Sequence, residues 1–178
     1  MRRDIERILI SEEEIQKKVS EMGKKISDDF RDKDPLFVGV LKGCFIFMAD
    51  LFREVTIPGS VDFMAVSSYG NGTSTTGAVK INKDLIQDFE NRDVIIVEDI
   101  LDSGVTLSYL TKYLQNRKPS SICIATLLDK PARRRADVQA KYVGFTVPDA
   151  FVVGYGLDYA EKYRNLPFIG ILKPDIYE

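Results

Sequence analysis

The sequence predicts an α/β domain built on a mainly parallel sheet. Short apolar runs with the length and β-branched residues of buried strands alternate with segments whose apolar residues recur every three or four positions. Strands and helices that alternate in this way are typical of a parallel sheet flanked by helices. The length of 178 residues fits one domain, and 44% hydrophobic with 29% charged residues is the composition of a globular protein.

The first predicted helix follows Ser11, which begins the sequence SEEE and has the form of a capping box. The helix is expected to end near Arg31, and its apolar face is formed by Ile15, Val19, Met22, Ile26 and Phe30. The run LFVGVL, from Leu36 to Leu41, lies between a proline and a glycine and predicts a buried strand. The following FIFMADLF predicts a second helix.

A strand from Val61 to Tyr69 is predicted next, followed by the segment GNGTSTTG. Three glycines and four hydroxyl residues in eight positions indicate a mobile loop. VKINKDL predicts the return strand and NRDVIIV a buried strand, before a helix with the inner face Leu107, Leu110 and Leu114. SICIATLL predicts a further core strand. Two short strands are expected over Lys141–Phe145 and Ala150–Val153, and FIGILKP closes the chain.

The absence of histidine excludes Ser-His-Asp and Cys-His catalysis, and also histidine metal sites. Proton transfer must therefore involve carboxylates, lysine or tyrosine. A net charge of -2 gives no overall basis for binding a nucleic-acid backbone. The basic triplet Arg133–Arg135 has no interleaved aromatic residues, so we interpret it as a solvated or subunit-contact surface.

The expected location is the cytoplasm. The longest apolar stretch, Leu36–Phe52, contains Lys42 and Asp50 and is too short for a membrane span. The N-terminal sequence MRRDIERILISEEE lacks the apolar region of a secretory signal. Cys44 and Cys123 lie in apolar surroundings, which favours buried free thiols and a reducing compartment.

The segment VIIVEDILDSGVTL carries the strongest functional pattern. An apolar strand leads into three carboxylates and a small hydroxyl-bearing turn, at the edge where parallel sheets bind ligands. Gly104 allows close approach of the backbone, and the N–H groups at the start of the next helix favour a phosphate monoester. Because carboxylates repel phosphate, Mg²⁺ or sugar hydroxyls are expected between them. A structural alternative is that Asp102 caps the helix and that Glu98 and Asp99 form a solvated strand end.

This segment lacks the Gly-Lys-Ser/Thr ending of a Walker loop and the three glycines of a dinucleotide-binding turn. It closely resembles the 5-phosphoribosyl-1-pyrophosphate (PRPP) signature of type I phosphoribosyltransferases, in the form found in their hypoxanthine-guanine branch. The resemblance covers roughly Ile8 to Pro174. It implies the type I phosphoribosyltransferase fold, a twisted sheet flanked by helices, as one domain over residues 1–178. The core would span about 35–150, under a small hood lobe formed by the N-terminal segment and about 151–178.

The resemblance also implies which residues bind the donor substrate. The turn that holds pyrophosphate in the family, often with a cis peptide, is similar to Leu41, Lys42 and Gly43. Arg164 matches the family's pyrophosphate clamp, and Ser68 with Tyr69 match the start of a flexible loop that closes over the reacting centre. The PRPP and nucleotide-phosphate site corresponds to Glu98, Asp99, Asp102, Ser103, Gly104, Val105 and Thr106. Val105 stands where some members have a lysine.

The purine site is implied in the same way. Lys130 matches the lysine that donates to the oxygen on carbon 6 of the purine. Phe151 matches the residue that stacks on the base, and the Val152 backbone matches a base-edge contact. Asp158, in the same segment, is assigned to the purine site as well and matches a ligand of a second Mg²⁺. The metal ligands implied by the resemblance are therefore Glu98, Asp99 and Asp158.

The implied reaction is purine salvage. A 5-phosphoribosyl group passes from PRPP to N9 of hypoxanthine or guanine, which gives the purine nucleotide IMP or GMP and pyrophosphate. Asp102 is the predicted general base, because a carboxylate is the practical candidate in a loop without histidine. Mg²⁺ is the implied cofactor, and a homodimer or homotetramer is expected, with no nucleic-acid or membrane partner. The alternative is a PRPP-fold regulator that senses nucleotides and binds nucleic acid.

Overall fold

Strands and helices alternate along the chain in a computed structural model that describes residues 1–68 and 79–177. The strands are β1 (Ile5–Ile10), β2 (Leu36–Leu41), β3 (Ser60–Ser68), β4 (Val79–Lys83), β5 (Asp93–Leu101), β6 (Ser121–Asp129), β7 (Tyr142–Thr146), β8 (Val152–Val153) and β9 (Ile169–Leu172). The helices are α1 (Glu12–Asp29), α2 (Phe45–Glu54), α3 (Val105–Gln115) and α4 (Pro174–Tyr177). Short 3-10 helices span Arg2–Asp4 and Pro131–Arg133. Within the described ranges, no helix is both long and apolar enough to cross a membrane.

Six strands form the large sheet, in the order β4-β3-β2-β5-β6-β7. Neighbouring strands are parallel except β4, which runs antiparallel to β3. The residues of β5 alternate between the two faces of the sheet: Ile95 and Val97 pack in one core with α1 and α2, whereas Val94 and Ile96 pack in another with α3. This arrangement confirms the predicted α/β class with a mainly parallel sheet.

The capping box predicted at the start of α1 is present. Ser11 Oγ accepts a hydrogen bond from the Glu14 backbone N–H at 3.2 Å, and the Glu14 carboxylate accepts one from the Ser11 N–H at 2.7 Å. The apolar face of α1 is buried as predicted, and it includes Gly23. A Cβ atom at Gly23 would lie 2.5 Å from Cβ of Glu54 and 2.8 Å from its carbonyl oxygen. Glycine therefore allows α1 to pack closely on the end of α2.

A separate, small sheet contains three antiparallel strands in the order β1-β9-β8. Ile10 pairs with Ile169, so segments from opposite ends of the sequence meet in this sheet. The sequence does not predict β1, because the charged residues in IERILI obscure the alternation of a half-buried strand. The strands of the small sheet belong to the segments that are expected to form the hood. That these segments form a lobe separate from the core stays a prediction.

We expect Gly23→Ala to destabilise the protein, although alanine is the better helix former by about 1 kcal/mol. The added methyl group would overlap the Glu54 backbone, and overpacking of this kind typically costs about 1–3 kcal/mol. Urea unfolding should therefore give a lower midpoint. Lys24→Ala, at an exposed neighbouring position, should change the midpoint little. A midpoint for Gly23→Ala above that of wild type would contradict the close packing of α1 on α2.

Candidate active site

Functional groups gather at the carboxyl edge of the large sheet. β2 ends at Leu41, β5 at Leu101 and β6 at Asp129. Because these strands are parallel, their ends lie side by side, at the position where open α/β sheets bind ligands. β5 continues through Glu98 and Asp99, so the acidic pair lies within the strand rather than after it.

A small cavity of about 120 Å³ lies between the end of β5 and the start of α3. Its lining residues are Glu98, Ile100, Leu101, Asp102, Ser103, Gly104, Thr106 and Leu107. Gly104 has φ of 78°, and a Cβ there would lie 2.5 Å from Cγ1 of Val138, so the turn requires glycine. The N–H groups at the start of α3 and the hydroxyls beside them suit a phosphate group.

Asp102 does not cap α3. The N-cap residue is Gly104, and Asp102 Oδ1 is buried with no hydrogen-bond partner among the residues that the structure describes. The other oxygen, Oδ2, lies 3.7 Å from the guanidinium of Arg133. The structural alternative for Asp102 is therefore wrong. The side chain is 39% exposed and lines the cavity, so the carboxylate can accept a proton or a hydrogen bond from a bound molecule.

The backbone of Asp102 is held by Arg134. The Arg134 guanidinium donates to the carbonyl oxygens of Leu101 at 3.3 Å, Asp102 at 3.1 Å and Val138 at 2.9 Å, and it also pairs with the Asp129 carboxylate. The interpretation of the triplet Arg133–Arg135 as a solvated or subunit-contact surface is therefore wrong for Arg134, whose guanidinium bonds within the chain. Sequence reasoning missed this role because nothing in the sequence distinguishes Arg134 from its two neighbours.

The acidic pair has unusual electrostatics. Burial raises the pKa of Glu98 well above the ordinary glutamate range, and the adjacent negative charge of Asp99 raises it further. Burial also raises the pKa of Asp99 to about 6, although a hydrogen bond from the Ile100 N–H, at 2.7 Å, and the positive charge of Arg164 oppose the shift. The two neighbouring carboxylates therefore favour a cation or hydrogen-bond donors.

The turn after β2 packs directly on this acidic pair. The peptide bond between Leu41 and Lys42 is cis. A Cβ at Gly43 would lie 1.7 Å from Oδ2 of Asp99, so the carboxylate occupies space that only glycine leaves free. Lys42 is exposed, and its ammonium group lies 3.1 Å from the carboxylate of Glu161. The ion pair joins the turn to the segment that follows β8.

Arg164 lies beside the same segment. Its guanidinium is 2.9 Å from Oδ1 of Asp158 and 3.5 Å from the Glu161 carboxylate, and it donates to the Gly156 carbonyl at 2.8 Å. The second Asp158 oxygen accepts a hydrogen bond from the Glu161 N–H at 2.9 Å. Sequence reasoning missed Glu161, which faces both cations expected to bind pyrophosphate, Lys42 and Arg164.

A larger pocket of about 370 Å³ adjoins Asp102. It is lined by Ile100, Asp102, Lys130, Arg133, Asp149, Ala150, Phe151, Val152, Leu157, Asp158 and Tyr177. The structure thus brings all four predicted purine-site residues to one pocket. Lys130 is only 4% exposed, and its Nζ donates to the Ala150 carbonyl at 2.8 Å, which fixes the ammonium group near the wall. Arg133, Asp149 and Tyr177 were not predicted to line this pocket.

The predicted flexible loop is described only at its first residue. Ser68 is the last residue of β3, and its backbone pairs with Val79 of β4. Tyr69 and the glycine-rich segment that follows lie outside the described residues.

Comparison with known proteins gives the family. The phosphoribosyl transferase domain matches this chain over residues 8–160. The chain belongs to the phosphoribosyltransferase family. This phosphoribosyltransferase is 60% identical, over 178 residues, to the hypoxanthine-guanine phosphoribosyltransferase of Bacillus subtilis strain 168; the match covers 100% of this chain and 99% of that protein.

Two further relatives extend the comparison. A bifunctional protein, TilS/HprT, of Listeria monocytogenes is 56% identical over 177 residues, which cover 99% of this phosphoribosyltransferase and 27% of the longer Listeria chain. The crystal structure of a hypoxanthine phosphoribosyltransferase from Staphylococcus aureus superimposes with a TM-score of 0.97 at 53% identity. That match covers 100% of this chain and 97% of the other. The type I phosphoribosyltransferase fold is thereby confirmed.

The acidic pair of this phosphoribosyltransferase is compatible with Mg²⁺. In the part of the chain that the structure describes, no group of three or more acidic or cysteine side chains is arranged to hold a metal by itself. Proteins commonly bind Mg²⁺ through one or two carboxylates and leave the remaining positions to water and substrate phosphates. Burial raises the pKa values of Glu98 and Asp99, the charge of Asp99 raises that of Glu98 further, and a cation beside them would favour their ionised forms. The donor set therefore fits a metal shared with a phosphorylated substrate.

We expect Asp99→Asn to stabilise the metal-free protein at pH 7.5. The pKa of Asp99 is about 6 in the folded protein against an ordinary 3.8, so its ionisation lowers stability as the pH rises through this range. The cost removed by asparagine is up to roughly 3 kcal/mol. Thermal unfolding should show a higher Tm for the variant at pH 7.5 and a much smaller difference at pH 4. Equal differences at both pH values would contradict the assignment, and the exposed Asp137→Asn is the matched control.

Proposed function

We propose that this phosphoribosyltransferase is a purine salvage enzyme that transfers the 5-phosphoribosyl group of PRPP to N9 of hypoxanthine or guanine. The observation that carries the proposal is the buried Lys130 ammonium in a pocket that also contains Asp102 and Phe151. A cation, a carboxylate and an aromatic ring complement the carbonyl oxygen, the ring N–H and the flat face of a 6-oxopurine. The names of the Bacillus and Staphylococcus relatives support the same substrate class.

The first requirement of the reaction is stabilisation of the leaving group. As the bond between C1′ and the pyrophosphate oxygen breaks, negative charge collects on pyrophosphate and C1′ becomes oxocarbenium-like. Lys42, in the turn after β2, and Arg164, in the segment after β8, would bind this charge in place of their present partners, Glu161 and Asp158. Mg²⁺, when bound, would neutralise further charge on the pyrophosphate.

The acidic pair would bind the donor sugar. Glu98 and Asp99 would hold the ribose hydroxyls and share Mg²⁺ with PRPP, and Asp158 would contact a second Mg²⁺. The 5-phosphate would occupy the cavity at the start of α3, where Ser103, Gly104, Val105 and Thr106 supply hydroxyls and N–H groups. Replacing either member of the acidic pair would then weaken PRPP binding more than later steps.

Asp102 would accept the purine proton. While N9 attacks C1′, the purine loses a proton near N7. The partly exposed Asp102 carboxylate lines the pocket proposed for the purine, and the nearest cation to it among the described residues is the Arg133 guanidinium, 3.7 Å from Oδ2. Arg134 fixes the backbone of Asp102, so the carboxylate is positioned before the substrate arrives. A single positioned base typically contributes about 10²- to 10⁴-fold to the rate.

We expect Asp102→Asn to retain PRPP binding and to lose turnover by about 10²- to 10⁴-fold. The amide keeps the shape of the side chain but cannot accept the proton. PRPP affinity is measured by calorimetry and turnover by nucleotide formation. Asp137→Asn, the same change at an exposed position, should leave both unchanged. Wild-type turnover in Asp102→Asn would remove Asp102 from the role of base.

We expect Lys130→Ala to reduce the preference for hypoxanthine over adenine. An ammonium can donate to a carbonyl oxygen, whereas adenine presents an amino group at the same place. Loss of one charge-assisted hydrogen bond is worth about 1.5–3 kcal/mol, or roughly 10- to 150-fold in kcat/KM for hypoxanthine. Lys141→Ala, at an exposed lysine outside the pocket, is the control. An unchanged ratio of kcat/KM for the two bases would refute this role.

The proposed function itself is tested by incubating the protein with Mg²⁺, PRPP and each of hypoxanthine, guanine, xanthine, adenine and uracil. Pyrophosphate and nucleotide should form with a 6-oxopurine, and absence of turnover with all three of them would overturn the proposal. A parallel nucleic-acid binding assay tests the regulator alternative. None of the relatives named above carries a name that describes a regulator.

We also propose a homodimer or homotetramer that acts in the cytoplasm, with a core of about 35–150 beneath a hood formed by the chain ends. The family resemblance supports both the assembly and the lobes. Light scattering gives the assembly directly, since one chain has a mass of 20.1 kDa.

A further inference from the structure

The ring of Phe151 depends on two other aromatic residues for its position. Its side chain lines the 370 Å³ pocket and is 36% exposed. Tyr159 contacts it edge-on, with ring centroids 5.6 Å apart and planes at 89°. Tyr177 stacks on it, with centroids 4.8 Å apart and planes only 21° apart. The near-parallel stack with Tyr177 covers one face of the Phe151 ring and, together with the Tyr159 contact, restricts its rotation.

Tyr177 is itself held by the small sheet. Tyr159 and Tyr177 both pack on an apolar cluster that includes residues of the small sheet. The cluster contains Val153, Tyr163, Leu166, Phe168 and Leu172. Lys173, which precedes α4, is bonded to the first residues of the chain. Its N–H donates to the Asp4 carbonyl at 3.0 Å, and its ammonium group donates to the Arg3 carbonyl at 2.7 Å. These anchors restrict α4 and therefore the Tyr177 ring.

Tyr177 forms a wall of the pocket and does not fill it. With the Tyr177 ring in place, the pocket retains about 370 Å³, which is within the usual range for small-molecule sites. A stacking partner binds best when its ring plane is fixed beforehand, because ordering a side chain on binding costs free energy.

We propose that Tyr177 is a positioning residue for the purine: its stack on Phe151 fixes the ring against which the base binds. This inference rests on the proposed function, because a purine is taken to occupy the pocket. Tyr177 acts through Phe151, so its effect belongs to purine binding and not to PRPP binding or to the proton transfer at Asp102.

The test compares Tyr177→Ala, Tyr177→Phe and Ile176→Ala in the full chain. KM for hypoxanthine, KM for PRPP, kcat and Tm are measured for each. Tyr177→Ala should raise the hypoxanthine KM about 2- to 12-fold, which corresponds to the about 0.5–1.5 kcal/mol of an aromatic pair, with little change in the PRPP KM. Tyr177→Phe keeps the ring and should behave like wild type. Ile176→Ala, at an exposed neighbouring residue outside the pocket lining, should also leave both KM values unchanged.

The possible outcomes distinguish failure of this inference from failure of the proposed function. An unchanged hypoxanthine KM in Tyr177→Ala overturns the inference. A lowered hypoxanthine KM overturns it too, because it shows that the Tyr177 ring competes with the base. The inference is also overturned if the KM values for hypoxanthine and PRPP rise equally in Tyr177→Ala, or if Tyr177→Phe does not keep the wild-type value. Either result assigns Tyr177 a general structural role. Turnover of hypoxanthine by wild type establishes the proposed function independently of these variants.

Discussion

Three segments of the chain meet at Gly43, and the geometry of the site at the carboxyl edge of the large sheet depends on this contact. The Asp99 carboxylate occupies the space of a Gly43 side chain, and a Cβ at Gly156 would lie 2.1 Å from the Gly43 carbonyl oxygen. The turns after β2 and β8 therefore meet backbone to backbone, and the Asp99 side chain from β5 fills the space beside Gly43. A single added methyl group would separate the acidic pair from Lys42, or the large sheet from the segment that carries Arg164.

Charge is distributed unevenly around this contact. Lys42 and Arg164 have carboxylate partners, whereas Glu98 and Asp99 stand next to each other with raised pKa values. Exposed ion pairs such as that of Lys42 with Glu161 contribute only about 0–1 kcal/mol, so an anionic ligand can replace the carboxylate at little cost. The arrangement suits a ligand that brings both anionic groups and a cation, as a metal-bound phosphorylated sugar does.

Local sequence patterns predicted much of this structure. The capping box, the apolar period of α1 and the strand runs depend on neighbouring residues, and a single chain displays them directly. The sequence also placed Lys130, Phe151 and Asp102 in one site, through resemblance to a family. Neither route found β1, Arg134 or Tyr177. Each of these depends on a partner far away in the sequence, and a charged strand, one arginine among three and a tyrosine in a short helix carry no local sign of that partner.

Pairing of β1 with β9 has a consequence for the growing chain. The strands of the large sheet and the turn before α3 are complete once Thr146 has been synthesised, but the small sheet must await Ile169. Phe151, Arg164 and Tyr177 lie in or beside that late sheet. A nascent polypeptide therefore carries Asp102 and Lys130 at the edge of the large sheet before the small sheet can hold Phe151 and Tyr177, so the 370 Å³ pocket that these four residues line is completed late in folding.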